Sequence, residues 1–492
     1  MTTVRVSRRR FLFTLPVSRQ LAANALEPVG APASFGAIPS QRQLRWHELE
    51  YYAFLHFSVN TFTGLEWGYG DEDPSVFSPT AFDPDAIVSD LRAGAARGVI
   101  LTCKHHDGFC LWPTRTTEHC IRNSKWRDGK ADVVREIAEA ARRQGLKFGV
   151  YLSPWDRNSA LYGSPQYPEL YRAQLRELLT QYGPLFEVWH DGANGGDGYY
   201  GGAREKRLID KRTYYDWPKT WNLVRELQPD AAIFSDVGPD IRWVGNEAGH
   251  AAETCWATYD PAGRAVGDAR PEESERGSRG GVQWLPPECD VSIRPGWFWH
   301  AAEDLQVKAP SELLSLYYQS AGRGGNLLLN IPPDRRGLLS AGDAASLRGF
   351  GDLLHRTFGR NFAAGAKVDV SNVRGNQTRF GGENLVAGDR YKYWATDDGV
   401  TTPNAVIWLG RDVQFNVVRL REDIRLGQRI DAVEIDLWKA GAWETFAKAT
   451  SVGACRLLKT RVPVSTDRVR LRITQAAVSP ALSDFGLFLE AH

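Results

Sequence analysis

The sequence predicts an α/β fold: a (β/α)8 TIM-like barrel followed by a C-terminal antiparallel β-sandwich. Three observations carry this reading. Apolar runs of strand length alternate with segments of helical period about eight times over roughly 300 residues, as in a parallel barrel. Polar residues of catalytic type recur where those strands should end. From about residue 362 the helical period disappears and strands with alternating polarity take over. At 492 residues the chain is too long for one ordinary domain. The expected division is a signal peptide and linker over 1–40, the barrel over 41–360 and the sandwich over 361–492.

Taken in order, residues 28–40 are rich in Pro, Ala, Gly and Ser and read as a linker. Tyr51 to Phe57 is the first apolar strand. Phe82 to Arg97 is a helix, with Asp83 as its cap, Pro84 at the first helical position and Ile87, Leu91 and Ala95 on one face. Val99 to Cys103 is the second strand and runs into Lys104-His105-His106-Asp107-Gly108. Asp132 to Gln144 is a helix stopped by Gly145. Leu146 to Leu152 is the third strand, Pro168 to Tyr182 a helix, and Leu185 to Trp189 the fourth strand, which delivers Asp191 and then turns at Gly192. Gly195 to Arg212 has no period and reads as a long loop. Trp217 to Leu227 is a helix and Ala231 to Ser235 the fifth strand. Glu253 to Ala257 and Cys289 to Ile293 are expected as the sixth and seventh strands. Ser311 to Ser320 is a helix, Asn326 to Ile331 the eighth strand and Ala341 to Arg356 the closing helix. Val417–Arg421, Val433–Leu437 and Val469–Ile473 alternate with period two and belong to the sandwich.

Composition narrows the function. The net charge of +1 gives no basic field for a nucleic acid or an anionic membrane surface. No stretch approaches the ~18 apolar residues of a membrane-spanning helix. The 17 Trp and 17 Tyr suit sugar rings, with their C–H faces and hydroxyl edges, although Trp also fills large cores. The six cysteines are scattered without a CxxC pair, which indicates free thiols; a disulfide among Cys103, Cys110 and Cys120 is the alternative for an exported chain. Export is expected from Ser7-Arg8-Arg9-Arg10-Phe11-Leu12, a twin-arginine-like run. It is followed by a weakly apolar stretch to Leu26 and an Ala23-Asn24-Ala25 cleavage site, giving a periplasmic or secreted protein.

The chemistry gathers at the strand ends. His56, His105 and His106, Tyr151, Asp191, and the stretch Arg242 to Glu247 all follow expected strands. In a barrel such positions converge on one pocket. Alone, Asp191 could simply begin a turn, and a single histidine could be a core residue. Five strand ends bearing such groups point to a site. Two chemistries fit. One is glycoside hydrolysis by two carboxyl groups, Asp191 and Glu247, with the histidines holding hydroxyls. The other is a metal-dependent hydrolase using His56, His105, His106 and Asp191. Against the metal, adjacent His105 and His106 on a strand would face opposite sides.

At these residues the sequence resembles glycoside hydrolase family 29, the α-L-fucosidases, over roughly residues 45–360. The resemblance rests on His56-Phe57, Glu66-Trp67-Gly68, Lys104-His105-His106-Asp107-Gly108-Phe109 with Leu111-Trp112-Pro113, and the Trp-x-Asp-Gly pattern of Trp189 to Gly192. It implies a retaining enzyme with Asp191 as nucleophile, with His105 and His106 on fucose hydroxyls, and with His56, Glu66, Trp67, Tyr151 and Trp189 lining the site. Gly238 to Glu247, Val291 to Phe298 and Gly324 to Asn330 resemble the subfamily that prefers α-1,3/1,4-linked fucose. This implies Glu247 as general acid/base, with Trp297 at the substrate; Arg242 either joins it there, binding a carboxylate, or merely flanks the loop. Asp236, Glu253 and Glu288 compete with Glu247 for that role. The resemblance further implies that no metal or organic cofactor is needed, that the partner is a fucosylated oligosaccharide or glycoconjugate, and that the sandwich is like a carbohydrate-binding module. The alternatives are a broad-specificity fucosidase, a glycosidase of another sugar, or a sugar-binding protein without catalysis. One residue departs from the pattern: His190 stands where an aromatic residue such as Phe is expected. On its strand it should point away from the pocket.

Overall fold

The structure is a computed structural model; it describes residues 1–4 and 29–492, Ala269 excepted. The twin-arginine-like run, the apolar stretch after it and the cleavage site lie outside the described residues. A helix α1 (Gln41–His47), closed by a capping box between Ser40 and Gln43, leads into the barrel.

Eight parallel strands close the barrel: β1 (Tyr51–Leu55), β2 (Gly98–Lys104), β3 (Lys147–Leu152), β4 (Glu187–Trp189), β5 (Ala232–Ser235), β6 (Ile241–Trp243), β7 (Pro287–Ser292) and β8 (Asn326–Asn330). They neighbour one another in chain order, and β8 pairs with β1. These strands read as apolar runs because helices cover the outer face while side chains fill the interior. The helices are α2 (Val59–Thr63), α3 (Pro84–Ala93), α4 (Val133–Arg143), α5 (Tyr167–Gln181), α6 (Trp217–Leu227), α7 (Pro271–Arg276), α8 (Pro310–Gln319) and α9 (Ala341–Phe358). Asp83 caps α3 by accepting from the Ala86 N–H at 3.0 Å, and Asp132 caps α4 by accepting from Arg135 at 2.9 Å.

Three sequence expectations need correction. The sixth strand is Ile241–Trp243, not Glu253 to Ala257. Cys255 to Ala257 make an apolar run because they are buried at the seam between the two domains. There the Cys255 N–H donates to Ser451 Oγ (3.1 Å) and the Ala257 N–H to Gln428 Oε1 (2.9 Å). Second, strand and helix do not alternate throughout. Residues 236–240 join β5 directly to β6, pinned by Asp240, which accepts from the Ile233 N–H (2.8 Å) and pairs with Arg42 (2.9 Å) and Arg225. Third, the loop over 195–212 contains a two-stranded hairpin, Gly196–Gly198 with Glu205–Arg207.

The C-terminal domain is a seven-stranded antiparallel sheet comprising β9 (Lys367–Val370), β10 (Trp394–Ala395), β11 (Asn404–Glu422), β12 (Ile430–Lys439), β13 (Ala442–Ala449), β14 (Arg456–Ala476) and β15 (Ala481–Phe488). Register shifts between Trp408 and Val413 and between Phe415 and Val417 interrupt the pairing of the two longest strands, β11 and β14. The sheet thereby folds over its own core, as a β-sandwich does, around residues such as Ile407, Phe415, Ile435, Leu471 and Phe485. The domain is fused to the barrel: Val417, Leu457 and Phe488 belong to the barrel's apolar core. The expected linker also lies against it, with the Phe35 N–H donating to the Leu426 carbonyl at 2.9 Å. All six cysteines are buried free thiols.

Candidate active site

The pocket opens at the C-terminal ends of the barrel strands and encloses about 250 Å³. Of the expected site residues, His56, Trp67, His105, His106, Tyr151, Trp189, Asp191, Glu247 and Trp297 all line it. They come from four strand ends and three loops, which the barrel brings together.

Asp191 follows β4 by two residues. Its Oδ2 accepts from the Tyr151 hydroxyl at 2.9 Å and its Oδ1 from the Ala193 N–H at 2.7 Å. His106 Nε2 stands 4.0 Å from Oδ2. A Cβ at Gly192 would meet the Asp236 carboxyl, so any larger residue there must displace that side chain. Glu247 sits on the loop after β6, where its Oε2 accepts from Trp297 Nε1 at 3.2 Å. Burial pushes the Glu247 carboxyl upward and the Asp191 charge adds to this, while the Trp297 hydrogen bond opposes them.

The three histidines are neutral. Burial pulls His56 down to about 3, against the hydrogen bond to Asn330, and His105 well below its ordinary value. Burial also lowers His106, against the pull of Asp191. The tautomers follow from the partners. The Asn330 amide NH2 donates to Ser292 Oγ and to the Trp297 carbonyl, so its Oδ1 must accept from His56 Nδ1–H at 2.9 Å. Ser153 donates to the Trp155 carbonyl, so it accepts from His106 Nδ1–H at 2.7 Å. Both rings keep an Nε2 lone pair for a sugar hydroxyl. β2 ends at Lys104, so strand alternation does not govern His105 and His106: both line the pocket, with ring centres 4.1 Å apart. Among the described residues no three His, Cys, Asp or Glu side chains form a group able to hold a metal ion.

Two expected residues stand outside the pocket wall. Arg242 lies within β6 and is fully buried. Its guanidinium donates to the carbonyls of Ser274 (2.8 Å), Trp256 (3.0 Å) and Leu285, so it fastens the long loop before β7 and does not reach substrate. Glu66 accepts from the N–H groups of Trp297 (2.8 Å) and Phe298 (3.3 Å) and pairs with His300 (2.6 Å). It holds the loop that presents Trp297. Trp67 is half exposed at the rim, edge-on to His106 and Trp155.

Besides these, Phe54, Trp243 and Asp290 line the pocket, as does Asp236, which was expected only as a competitor for the acid role. Asp236 directly follows β5 and was legible by the strand-end rule. Burial raises it to about 7, helped by Asp191 and opposed by the Gly267 N–H, which donates to it at 2.5 Å. Asp290 alternates inward on β7, accepts from Trp243 Nε1 at 2.7 Å and is raised by burial and by Glu247. The competitors for the acid role separate by position. Glu253 pairs with Arg323 (3.0 Å) and Arg456 at the domain seam. Glu288 is sealed in the barrel interior, accepting from Trp189 Nε1 (2.6 Å) and the Tyr52 hydroxyl. Asp236 and Glu247 reach the pocket. His190 points away from it, with Nδ1 2.8 Å from the Tyr171 hydroxyl, and burial lowers it to about 3.

A parallel barrel whose strand ends set carboxyl groups, neutral histidines and tryptophans around a sugar-sized pocket is a glycoside hydrolase. The family model for alpha-L-fucosidase matches residues 34–357. Alpha-L-fucosidase 1 of Arabidopsis thaliana is 41% identical over 485 residues, covering 98% of this chain and 93% of the relative. A solved glycoside hydrolase 29 family member from an unknown rumen bacterium is 38% identical with a TM-score of 0.83, covering 93% of this chain and 78% of that one. A Ruminococcus gnavus GH29 fucosidase in complex with fucose is 30% identical with a TM-score of 0.85, covering 94% and 97%. The chain belongs to the α-L-fucosidase family, glycoside hydrolase family 29.

Proposed function

We propose that the protein is a retaining exo-α-L-fucosidase that releases terminal fucose, α-1,3/1,4-linked to its aglycone, through a covalent glycosyl-enzyme. The observation that carries the reading is the pairing of two differently held carboxyl groups across one pocket. Asp191 accepts hydrogen bonds from Tyr151 and the Ala193 N–H. Glu247 is pushed upward by burial. In the first step Asp191 attacks C1 of fucose while Glu247 protonates the departing oxygen. In the second, Glu247 takes a proton from water as the water displaces Asp191 and frees fucose. His56 and His106 accept sugar hydroxyls through Nε2, and His105 stands beside them. Phe54 and Trp189 supply apolar wall suited to the methyl group of a 6-deoxy sugar.

Linkage preference rests on the sequence around Glu247, from Gly238 to the glutamate, together with Trp297 at the rim. A periplasmic or secreted location rests on the sequence alone: Ser7 to Leu12, the apolar stretch to Leu26 and Ala23-Asn24-Ala25. The test of the mechanism is Asp191→Ala. Turnover should fall by several orders of magnitude in a protein that still folds, and azide should restore part of it with a glycosyl azide as product. A variant that hydrolyses fucosides at wild-type rates would end this assignment.

A further inference from the structure

A second cavity, of about 350 Å³, lies at the opposite end of the barrel. It opens beside Glu50 and Tyr51, where β1 begins, whereas the active site lies beyond the end of the same strand. Its other wall comes from the C-terminal domain. Four arginines line it, Arg97, Arg390, Arg419 and Arg421, against one acidic residue, Glu50. Arg390 and Arg421 both donate to Glu50 Oε1, at 2.7 and 2.6 Å. Asp484 stands behind, taking Arg419 at 2.6 Å and Arg421 at 3.1 Å. Counting Glu50 and Asp484 against the four arginines leaves an excess of two positive charges.

The arginines are not saturated by these partners. Arg421 is 9% exposed, yet its Nε has no hydrogen-bond partner. Tyr51 is in the same wall and its buried hydroxyl is also without one. A buried donor left unpaired is costly, and so is the crowding of like charges in a concavity. The Arg421 Nε and the Tyr51 hydroxyl are closed off behind the wall, but the charge crowding falls when a small anion enters, and planar guanidinium forks match tetrahedral oxyanions well.

We propose that this cavity is an anion site for a sulfate or phosphate group, free or esterified, that bridges the barrel and the C-terminal domain. Because the site exists only when both domains are folded and docked, occupancy should raise thermal stability by mass action. The melting temperature of the full chain would be measured in sodium sulfate, in sodium phosphate and in sodium chloride at matched ionic strength. A further series would use glucose 6-sulfate. The expected result is a saturable rise of roughly a few °C with the oxyanions but not with chloride. In Arg390→Gln the half-saturating concentration should increase at least tenfold while kcat/KM on an aryl fucoside stays unchanged. Arg97→Gln, at an exposed position, serves the same purpose should Arg390→Gln fail to fold. A lower half-saturation with the sugar sulfate than with free sulfate assigns the site to an ester. The reverse order assigns it to the ion. A rise that is linear in salt and equal in the variants is general salting-out and overturns the proposal, as does no rise at all.

Discussion

Replacing Trp297 by Phe tests the acid role of Glu247 without touching the carboxyl itself. Trp297 Nε1 donates to Glu247 Oε2 at 3.2 Å, and this bond favours the charged carboxylate. Phe retains the aromatic wall, and so most of the burial, but removes the donor. A hydrogen bond to a charged group contributes ~1.5–3 kcal/mol when well formed and buried. This one is long and Glu247 is partly open to solvent, so about 1 kcal/mol is the appropriate scale. Divided by ~1.4 kcal/mol per pKa unit, that is an upward shift of roughly 0.7. A general acid works only while protonated, so activity is lost as pH rises through its pKa. Raising that pKa moves the alkaline limb to higher pH. The assay is kcat/KM against pH on a fucosylated oligosaccharide, whose alkoxide leaving group requires the proton. The limb should move up by about 0.5–1 pH unit, whatever happens to KM. An unmoved limb, or one moved to lower pH, refutes the assignment of Glu247 as the acid.

Three further outcomes are expected. Glu247→Ala should lower kcat/KM on the oligosaccharide by ~10²–10⁴ but far less on 4-nitrophenyl fucoside, whose leaving group departs unprotonated; an equal fall on both would move the role to Asp236, the one expected competitor that lines the pocket. A hydrolysis panel should show α-1,3/1,4-fucosylated N-acetylglucosamine cleaved faster than 2′-fucosyl chains, and equal or reversed rates would remove the linkage proposal. Behind the pocket, buried Lys104 pairs with Asp156 at 3.1 Å and donates to Gln174 at 2.9 Å. Lys104→Met leaves Asp156 uncompensated and should destabilise the fold by ~3–5 kcal/mol in a denaturant titration; a loss below about 1 kcal/mol would show that Asp156 finds water instead.

Much of the site was legible because the barrel rule reduces a three-dimensional question to a local one. A strand needs an apolar run, and the residue after the run faces the mouth. Asp191, Tyr151, His105 and His106 were all found that way. The rule fails where the strand is too short to be recognised. Ile241–Trp243 is three residues with an arginine at its centre. With no strand to place it, Arg242 was expected beside the substrate. It lies instead mid-strand, its guanidinium consumed by carbonyls of the neighbouring loop. The segment 253–257 failed in the opposite sense: its apolar run, Cys255 to Ala257, reflects a seam with another domain, which no local pattern can distinguish from a barrel interior. Asp290 was missed because it lies within β7 and not after it, so that its inward alternation, not its position at an end, brings it to the pocket. Glu66 belongs to the site at one remove: it builds the Trp297 loop.

The pocket's charge pattern ties these residues to the chemistry. Asp191, Asp236, Glu247 and Asp290 all line it, and no lysine or arginine does. By charge alone such a wall suits a neutral sugar, as the proposed fucose is, better than a uronic acid or a sulfated sugar. It also suits a transition state in which positive charge develops at the anomeric carbon. Four carboxylates in so small a space would repel one another strongly. Burial resolves this by pushing Asp236, Glu247 and Asp290 upward. Asp191 stands apart: a phenol and a backbone N–H donate to its two oxygens, and the turn at Gly192 leaves it part-exposed to the pocket. The histidines contribute no charge of their own, since burial keeps them neutral; they leave the hydroxyl contacts directional and the field to the carboxyl groups. Under the proposed mechanism, one part-exposed, hydrogen-bonded carboxyl beside buried ones is the arrangement that distinguishes a nucleophile from an acid.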